Sequence, residues 1–543
     1  MYGFEPFGLY GELVDIGVDI RRGLPFVDIV GLPDSAIKEA RERIRAAIRN
    51  AGFEFPLDRV LISLAPAGLK KSGAQFDLPM ALVLLMASGQ IEPINDNVLA
   101  MGELALSGRV LPVAGVLSAV VNAKKHGFSH VFIPEENLDE VSVVTDIEIV
   151  PLAHLRDAVR FFCALSGTII VQGWHKQENQ CELPGTTCDI AIKSLPSAVE
   201  HSIDLQNENR NFSNADNYGN DFVCDFSSFK GQASARRALE IAAAGNHHVF
   251  LFGPPGAGKT MAARCLAGIL PELDEQTAFE AAALYSLAGI PRGYSTVQIA
   301  RTPHHSTSLE GLVGGGRSLK PGELSLAHGG MLFLDETPEF RSNVLDALRE
   351  PLESGTVTLR RAEKAVQYPA RILLVMAANL CPCGNMGKMH GVCLCSAEEL
   401  RKYWKKISGP LLDRIDIRIP LKPAETHTLF SQEVPEKSSH IRARVLNCRL
   451  IQKERYRGWK TTVNGFLDSD GICRYFEHEL QRRTAFFTML GMKGLSSRGV
   501  NAVIKVARTI ADLESDSAIR DEHLEEAFSL RQGDDEYWYW TMP

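Results

Sequence analysis

Residues 253 to 260 read Gly-Pro-Pro-Gly-Ala-Gly-Lys-Thr, and the apolar run Met331–Leu334 further along ends in the acidic pair Asp335-Glu336. A triphosphate needs a backbone that approaches it closely with several N–H groups turned inward. Gly253, Gly256 and Gly258 permit that curvature around Pro254, Pro255 and Ala257. Lys259 adds a point charge for the β- and γ-phosphates, and Thr260 offers a hydroxyl to Mg²⁺ at the start of a helix whose dipole favours anions. Asp335 is the second expected Mg²⁺ ligand and Glu336 the group expected to position water. The combination points to a nucleotide hydrolase with ATP and Mg²⁺ as cofactors. A mere glycine-rich turn before a helix would leave the Lys-Thr ending and the second acidic strand as coincidences.

Three further groups are expected around this site. A buried strand from Ile372 to Ala378 ends in Asn379, whose amide is suited to hold the attacking water beside Glu336, although Asn at a strand end is also a common turn residue. The run Leu411-Leu-Asp-Arg-Ile-Asp416 puts Arg414 near the end of the core, suited to reach a neighbouring subunit's γ-phosphate; by itself it would be a salt-bridged surface turn. Arg498, in Leu-Ser-Ser-Arg ahead of a helix from Val500 to Leu513, is the expected lid arginine that senses nucleotide. Just after Asn379 come two Cys-x-Cys pairs, Cys381 with Cys383 and Cys393 with Cys395, with Gly384, Gly387 and Gly391 permitting the chain to fold back. Four thiolates suit tetrahedral Zn²⁺. His390 is a possible substitute ligand, reduced metal-free thiols are the alternative, and the metal's expected job is to shape the loop beside Asn379.

These groups need a large scaffold, and 543 residues suggest three or four domains at about 150 residues each. With 45% hydrophobic and 23% charged residues the composition is that of an ordinary soluble protein. A net charge of −8 argues against a surface coated in basic charge, so any nucleic-acid contact must come from local arginines and lysines. The opening Met-Tyr-Gly-Phe-Glu-Pro has no basic leader, and the apolar run Met80–Ala87 falls far short of the about 20 residues that cross a bilayer. The expectation is a cytoplasmic protein without membrane contact, its scattered cysteines reduced.

The fold class expected is a multidomain mixture of α/β and α+β. In residues 1–165, Val14, Ile16, Val18 and Ile20 alternate with polar or small residues as in a half-buried strand, and a second strand is expected near Phe26–Val30. From Asp34 the set Ile37, Ala40, Ile44, Ala47 and Ile48 marks one face of a helix, with Arg41, Arg45 and Arg49 on a solvated face. A strand Val60–Leu64, a helix from about Gln75, a helix ending at His126 and a strand Val131–Ile133 follow. Residues 166–220 lose this periodicity and collect asparagines, including Asn207, Asn209 and Asn211, which reads as a flexible linker. A parallel-sheet nucleotide module over 221–425, a helical lid over 426–533 and an aromatic tail over 534–543 complete the chain.

Thr302-Pro-His-His-Ser-Thr-Ser, Gly-Gly-Gly at 314 to 316, Pro-Gly-Glu-Leu-Ser-Leu-Ala-His at 321 to 328 and Phe-Leu-Asp-Glu at 333 to 336 resemble the Mg-chelatase branch of the AAA+ ATPases. The N-terminal region and Lys505-Val-Ala-Arg-Thr-Ile-Ala-Asp-Leu narrow the resemblance to the ComM/YifB family. It implies a hexameric ring in which Arg414 of one subunit completes the ATP site of the next. It also implies a motor acting on single-stranded or branched DNA, in branch migration during natural transformation or recombination. Two insertions would then face the pore, one within 290–320 and a hairpin over 355–368 whose Arg360, Arg361 and Lys364 would contact phosphates without reading bases.

Leu64–Leu85 and Met101–Asn137 resemble the proteolytic domain of Lon, with its S5-like fold and Ser-Lys dyad. The serine position falls at about Phe76 and the lysine position at about Leu117, so both reacting groups are missing, and neither Ser72 nor Lys124 restores the spacing. A non-proteolytic scaffold or DNA-docking domain is expected, with Lys70-Lys71 as a candidate DNA contact. The rivals to a DNA motor are an ATP-dependent protease, which the missing dyad counts against, a chelatase motor subunit, to which the Lon-like domain is foreign, and a chaperone-like ATPase acting on protein.

Overall fold

The computed structural model describes residues 1–93, 97–166, 222–316, 319–361, 364–388, 391–423, 435–481, 486 and 495–532. The asparagine-rich linker, apart from its first residue, and the aromatic tail lie outside the described residues, as does His390.

The first unit is built on strands β1 (Tyr2–Glu5), β2 (Glu12–Arg21), β3 (Phe26–Val30), β4 (Arg59–Ala65), β5 (Val98–Ala100), the short pair β6 (Glu103–Leu104) and β7 (Val110–Leu111), β8 (His130–Pro134) and β9 (Glu148–Leu152). Seven of them form a mixed sheet in the order β3-β4-β2-β1-β5-β8-β9. Helix α1 (Ser35–Asn50) starts where the Asp34 carboxylate accepts the Ile37 N–H at 2.9 Å. It buries Ile37, Ala40, Ile44, Ala47 and Ile48, as its periodicity predicts, against Val14, Ile16, Val60, Ile62 and Leu64 and against α2 (Asp77–Ala87). Arg41 and Arg49 face solvent. A second core forms around α3 (Val116–Lys125), where Leu117 packs with Phe4, Leu99, Val131 and Ile133. The strands β1, β5 and β9 have no counterpart in the sequence reading.

The positions expected for the proteolytic dyad are filled by hydrocarbon: Phe76 and Leu117 are each 0% exposed, in different cores. Ser72 Oγ donates to Glu5 Oε1 at 2.7 Å and Lys124 Nζ pairs with Asp146 at 3.0 Å. Lys71 corrects the expectation of a DNA contact. It is wholly buried, its Nζ donating to the carbonyls of Gly31 at 3.0 Å, Leu64 at 2.9 Å and Pro66, and burial pulls its pKa below the ordinary lysine value. An ammonium with three backbone acceptors is a tie between loops; Lys70 beside it is exposed.

The second unit opens with α6 (Ala233–Gly245), after the short α4 (Leu138–Val141) and α5 (Leu155–Ser166) that close the first. Its strands are β10 (Val249–Phe252), β11 (Ala300–Arg301), the pair β12 (Gly314–Gly315) and β13 (Lys320–Pro321), β14 (Met331–Leu334), the hairpin β15 (Thr356–Arg361) and β16 (Lys364–Pro369), β17 (Leu373–Ala378) and β18 (Ile417–Pro420). Five form a wholly parallel sheet in the order β11-β14-β17-β10-β18. Every residue of β10, β14 and β17 is buried, as expected of parallel strands covered on both faces. Val249 and Leu251 join the core under α6 and α7 (Lys259–Gly268), while Phe250 and Phe252 join the opposite one. Helix α8 (Glu275–Ala288) lends Ala282 and Ala283 to the core of α3, and the Gly115 N–H donates to Ser286 O at 3.1 Å, so the two units are packed together.

The C-terminal helices Ser438–Arg455, Ser497–Leu513 and Asp521–Gln532 share the core of α6. Beneath them lies a polar network. His247 bridges Asp416 at 3.0 Å and Thr509 at 2.7 Å, while Asn464 reaches Thr509 at 2.9 Å and Asp512 at 3.0 Å. The first of these helices to carry a predicted site residue begins at Ser497, capped by Ser496, so Arg498 lies inside its first turn rather than ahead of it.

Candidate functional site

Parallel strands deliver their carboxyl ends to one edge, and here three neighbouring ends carry the chemistry. β10 leads into Gly253–Thr260, β14 into Asp335-Glu336 and β17 into Asn379. Gly256 and Gly258 have φ of +82° and +88°, and a Cβ at Gly256 would meet nothing within 4 Å, which leaves the crest of the loop open to a ligand. Gly253 is required for packing: a Cβ there would sit 2.2 Å from the Leu421 carbonyl oxygen.

Lys259 Nζ donates to Gly253 O at 2.8 Å, Pro254 O at 3.0 Å and Asn379 Oδ1 at 2.9 Å. Burial lowers its pKa, against the pull of Asp335 and Glu336. Thr260 Oγ1 donates to Asp335 Oδ2 at 2.9 Å, so the two expected Mg²⁺ ligands already converge. Glu336 adopts a left-handed backbone (φ +49°, ψ +45°), and its Oε2 stands 3.6 Å from His305 Nδ1. The set fits a triphosphate with a hard cation: an open glycine crest, one cation beneath it, and a hydroxyl with a carboxylate at its flank. His305 was missed as a site residue; Thr302-Pro-His-His carried it only as a family marker.

Arg414 and Arg498 are brought together, but not here. Arg414 Nη2 lies 2.5 Å from Glu353 Oε2 and Arg498 Nη2 lies 2.8 Å from Glu353 Oε1. Burial would raise the Glu353 pKa, yet the two guanidiniums overcome it and hold the carboxyl below its usual range. The three residues line a cleft of about 360 Å³ with His248, Arg371 and Asp416, each of which precedes a sheet strand. The cleft is therefore at the amino ends of the strands, and the phosphate loop is at the carboxyl ends, about 13 Å away along a four-residue strand. Arg414 Nε is buried and has no hydrogen-bond partner among the described residues. Nothing in the Glu353 context, Arg349-Glu-Pro-Leu-Glu-Ser, announces its role.

The two segments expected to face a pore meet each other. In the hairpin Val357, Leu359, Val366 and Tyr368 turn to the core, while Arg360 and Arg361 are exposed. Arg361 Nη1 donates to Gly316 O at 3.2 Å and Tyr368 OH to Leu319 O at 2.9 Å. The side chain of Lys364 lies outside the described residues. The four clustered cysteines also converge, each offering a sulfur within 4.8 Å of the others.

Family models for the magnesium chelatase subunit ChlI match residues 225–429 and 16–137, and a model of its C-terminal region matches 435–531. The chain is 38% identical to Competence protein ComM of Haemophilus influenzae, over 98% of this chain and 97% of that protein. It is 37% identical to the uncharacterized protein YifB of Escherichia coli, over 96% and 95% of the two chains. Lon protease of Mycolicibacterium smegmatis is 27% identical over 169 residues, 29% of this chain and 21% of that one. Among the described residues no helix is long and apolar enough to cross a membrane.

Proposed function

The chain belongs to the ComM/YifB family of Mg-chelatase-like AAA+ ATPases, and on that premise we propose that it is a ring-forming, hexameric DNA motor of the cytoplasm. Its substrate is single-stranded or branched DNA, and its task is branch migration in natural transformation or recombination. The observation that carries the reading is the convergence of Lys259, Thr260, Asp335, Glu336 and Asn379 at three strand ends, joined to an exposed basic hairpin. ATP with Mg²⁺ supplies the cleavable phosphoanhydride and the charge that polarises it.

The chain's residues do the rest. Lys259 leaves its carbonyl partners for the phosphates, Thr260 and Asp335 hold the cation, and Glu336 and Asn379 orient water. Arg414 and Arg498, at the far end of the sheet, serve the site of the adjoining subunit. Arg360, Arg361 and Lys364 grip phosphates, and Glu353, just ahead of the hairpin, links their movement to the arginine pair. The cysteine cluster holds a structural Zn²⁺.

The test is ATP hydrolysis with and without single-stranded and branched DNA, with Lys259→Ala as the inactive control. DNA stimulation that disappears in the variant supports the motor. Activity indifferent to every DNA overturns it, and stimulation by an unfolded protein or by a porphyrin-binding partner would replace it with a chaperone-like or chelatase-type ATPase. Casein degradation is not expected, because the dyad positions are Phe76 and Leu117.

A further inference from the structure

The cysteine loop touches the nucleotide site directly. Asn379, which accepts from Lys259 Nζ, stands two residues ahead of Cys381. The loop then folds back on the phosphate loop. At Gly384 (φ +70°) a Cβ would stand 2.9 Å from Pro255 Cγ, and at Gly387 (φ +80°) it would stand 2.9 Å from Leu380 Cδ1 and 3.5 Å from Pro254 Cδ. Gly384 lies so close against Pro255 that no side chain fits between them without movement, while Gly387 is pressed against Leu380 and stands within ordinary contact range of Pro254.

What holds the loop there is not a core of its own. Between Asn379 and Ser396 the described residues form no helix or strand, and Val392 and Leu394 are 72% and 87% exposed. Ordering such a segment costs conformational entropy that little apolar burial offsets. The sulfurs offer the missing staple. Cys381 Sγ and Cys383 Sγ are 3.3 Å apart, Cys383 Sγ and Cys393 Sγ 3.7 Å, and all four lie within 4.8 Å of one another. Tetrahedral zinc with Zn–S near 2.3 Å requires sulfur edges of about 3.8 Å, whereas a disulfide requires about 2.05 Å. The Met386 N–H donates to the buried Cys381 Sγ at 3.3 Å, an outer bond of the kind that orients a metal-bound thiolate.

Resting on the zinc reading above, we infer that the four-cysteine knot buttresses the phosphate loop, so that nucleotide affinity depends on the metal. With the thiolates tied, the Gly384–Gly387 stretch is held against Pro254 and Pro255, and Asn379 is held over Lys259. Loss of the metal frees both walls together.

The full-length protein is assayed for zinc by elemental analysis, and for affinity towards a fluorescent ATP analogue, as purified, after chelation under reducing conditions and after zinc is returned. About one zinc per chain is expected, with affinity at least about tenfold weaker in the stripped protein and restored by zinc. Cys383→Ser should behave like the stripped protein, and Cys473→Ser, at an exposed thiol outside the knot, like the wild type. Protein that neither contains nor takes up zinc overturns the zinc reading and the inference with it. Zinc whose removal leaves affinity within about twofold overturns the buttress while the zinc reading stands. Where stripping unfolds the protein by circular dichroism, Gly384→Ala decides, since it keeps all four thiols and drives a methyl into Pro255. Normal zinc with nucleotide binding weakened about tenfold supports the buttress, and unchanged binding overturns it.

Discussion

At the scale of single residues, Lys259 is held by two carbonyls and the Asn379 amide, so its removal takes away the cation proposed for the phosphates and the contact that fixes Asn379. Lys259→Ala should abolish nucleotide binding with little change in thermal unfolding. Glu336→Gln should instead bind ATP and lower hydrolysis about 10²- to 10⁴-fold, read by phosphate release against nucleotide affinity. His305, 3.6 Å from Glu336, belongs to the same comparison: His305→Ala should reduce turnover and leave affinity near wild type. The residues proposed to hold phosphate and cation could be picked out in the sequence because that chemistry demands fixed spacing within one loop and one strand end. His305 and Glu353 were not, since each meets its partner across a long stretch of chain and no local pattern records the meeting.

At the scale of elements, the strongly periodic segments were legible and the short ones were not. The five apolar positions of α1 declare its buried face, and β10 and β14 read as continuous apolar runs. β1, β5 and β9 have only 3 to 5 residues each, too few to show a period, and β5 finds its place by pairing with β1 and β8 from distant parts of the chain. One helix end carries a pH signature. Burial at the start of α2 pushes the Asp77 carboxyl up from 3.8 to about 6, against the pull of Arg43 Nε at 2.9 Å. The folded chain binds this proton more tightly than the unfolded one, so the group stabilises below about pH 4, and that contribution is lost as pH rises through about 6. The loss amounts to about 3 kcal/mol. The stability advantage of wild type over Asp77→Asn in urea should therefore shrink by roughly that amount between pH 4 and 7; a constant difference would refute the assignment. For the hairpin, Arg360→Ala with Arg361→Ala should weaken DNA binding and reduce the salt slope by about 1.4 to 1.8.

At the scale of the whole molecule, Glu353 gathers Arg414 and Arg498 at the amino ends of the strands, away from the phosphate loop of the same chain. In the proposed ring Arg498 thus acts on the adjoining subunit, as Arg414 does. Arg498→Ala and Lys259→Ala proteins should each be inactive, while an equal mixture recovers up to about a quarter of wild-type hydrolysis, the chance that an intact loop faces an intact arginine. No recovery would place Arg498 on its own nucleotide. The separation of these two ends has a further consequence for assembly. A surface with a socket at one end and its plug at the other is satisfied by a heterologous contact, and a two-fold pair would set like against like. An open row of subunits always leaves one socket empty, and closure fills it. Turnover per chain should therefore climb with protein concentration and level off once the circle shuts, so that dilution alone acts as an off switch.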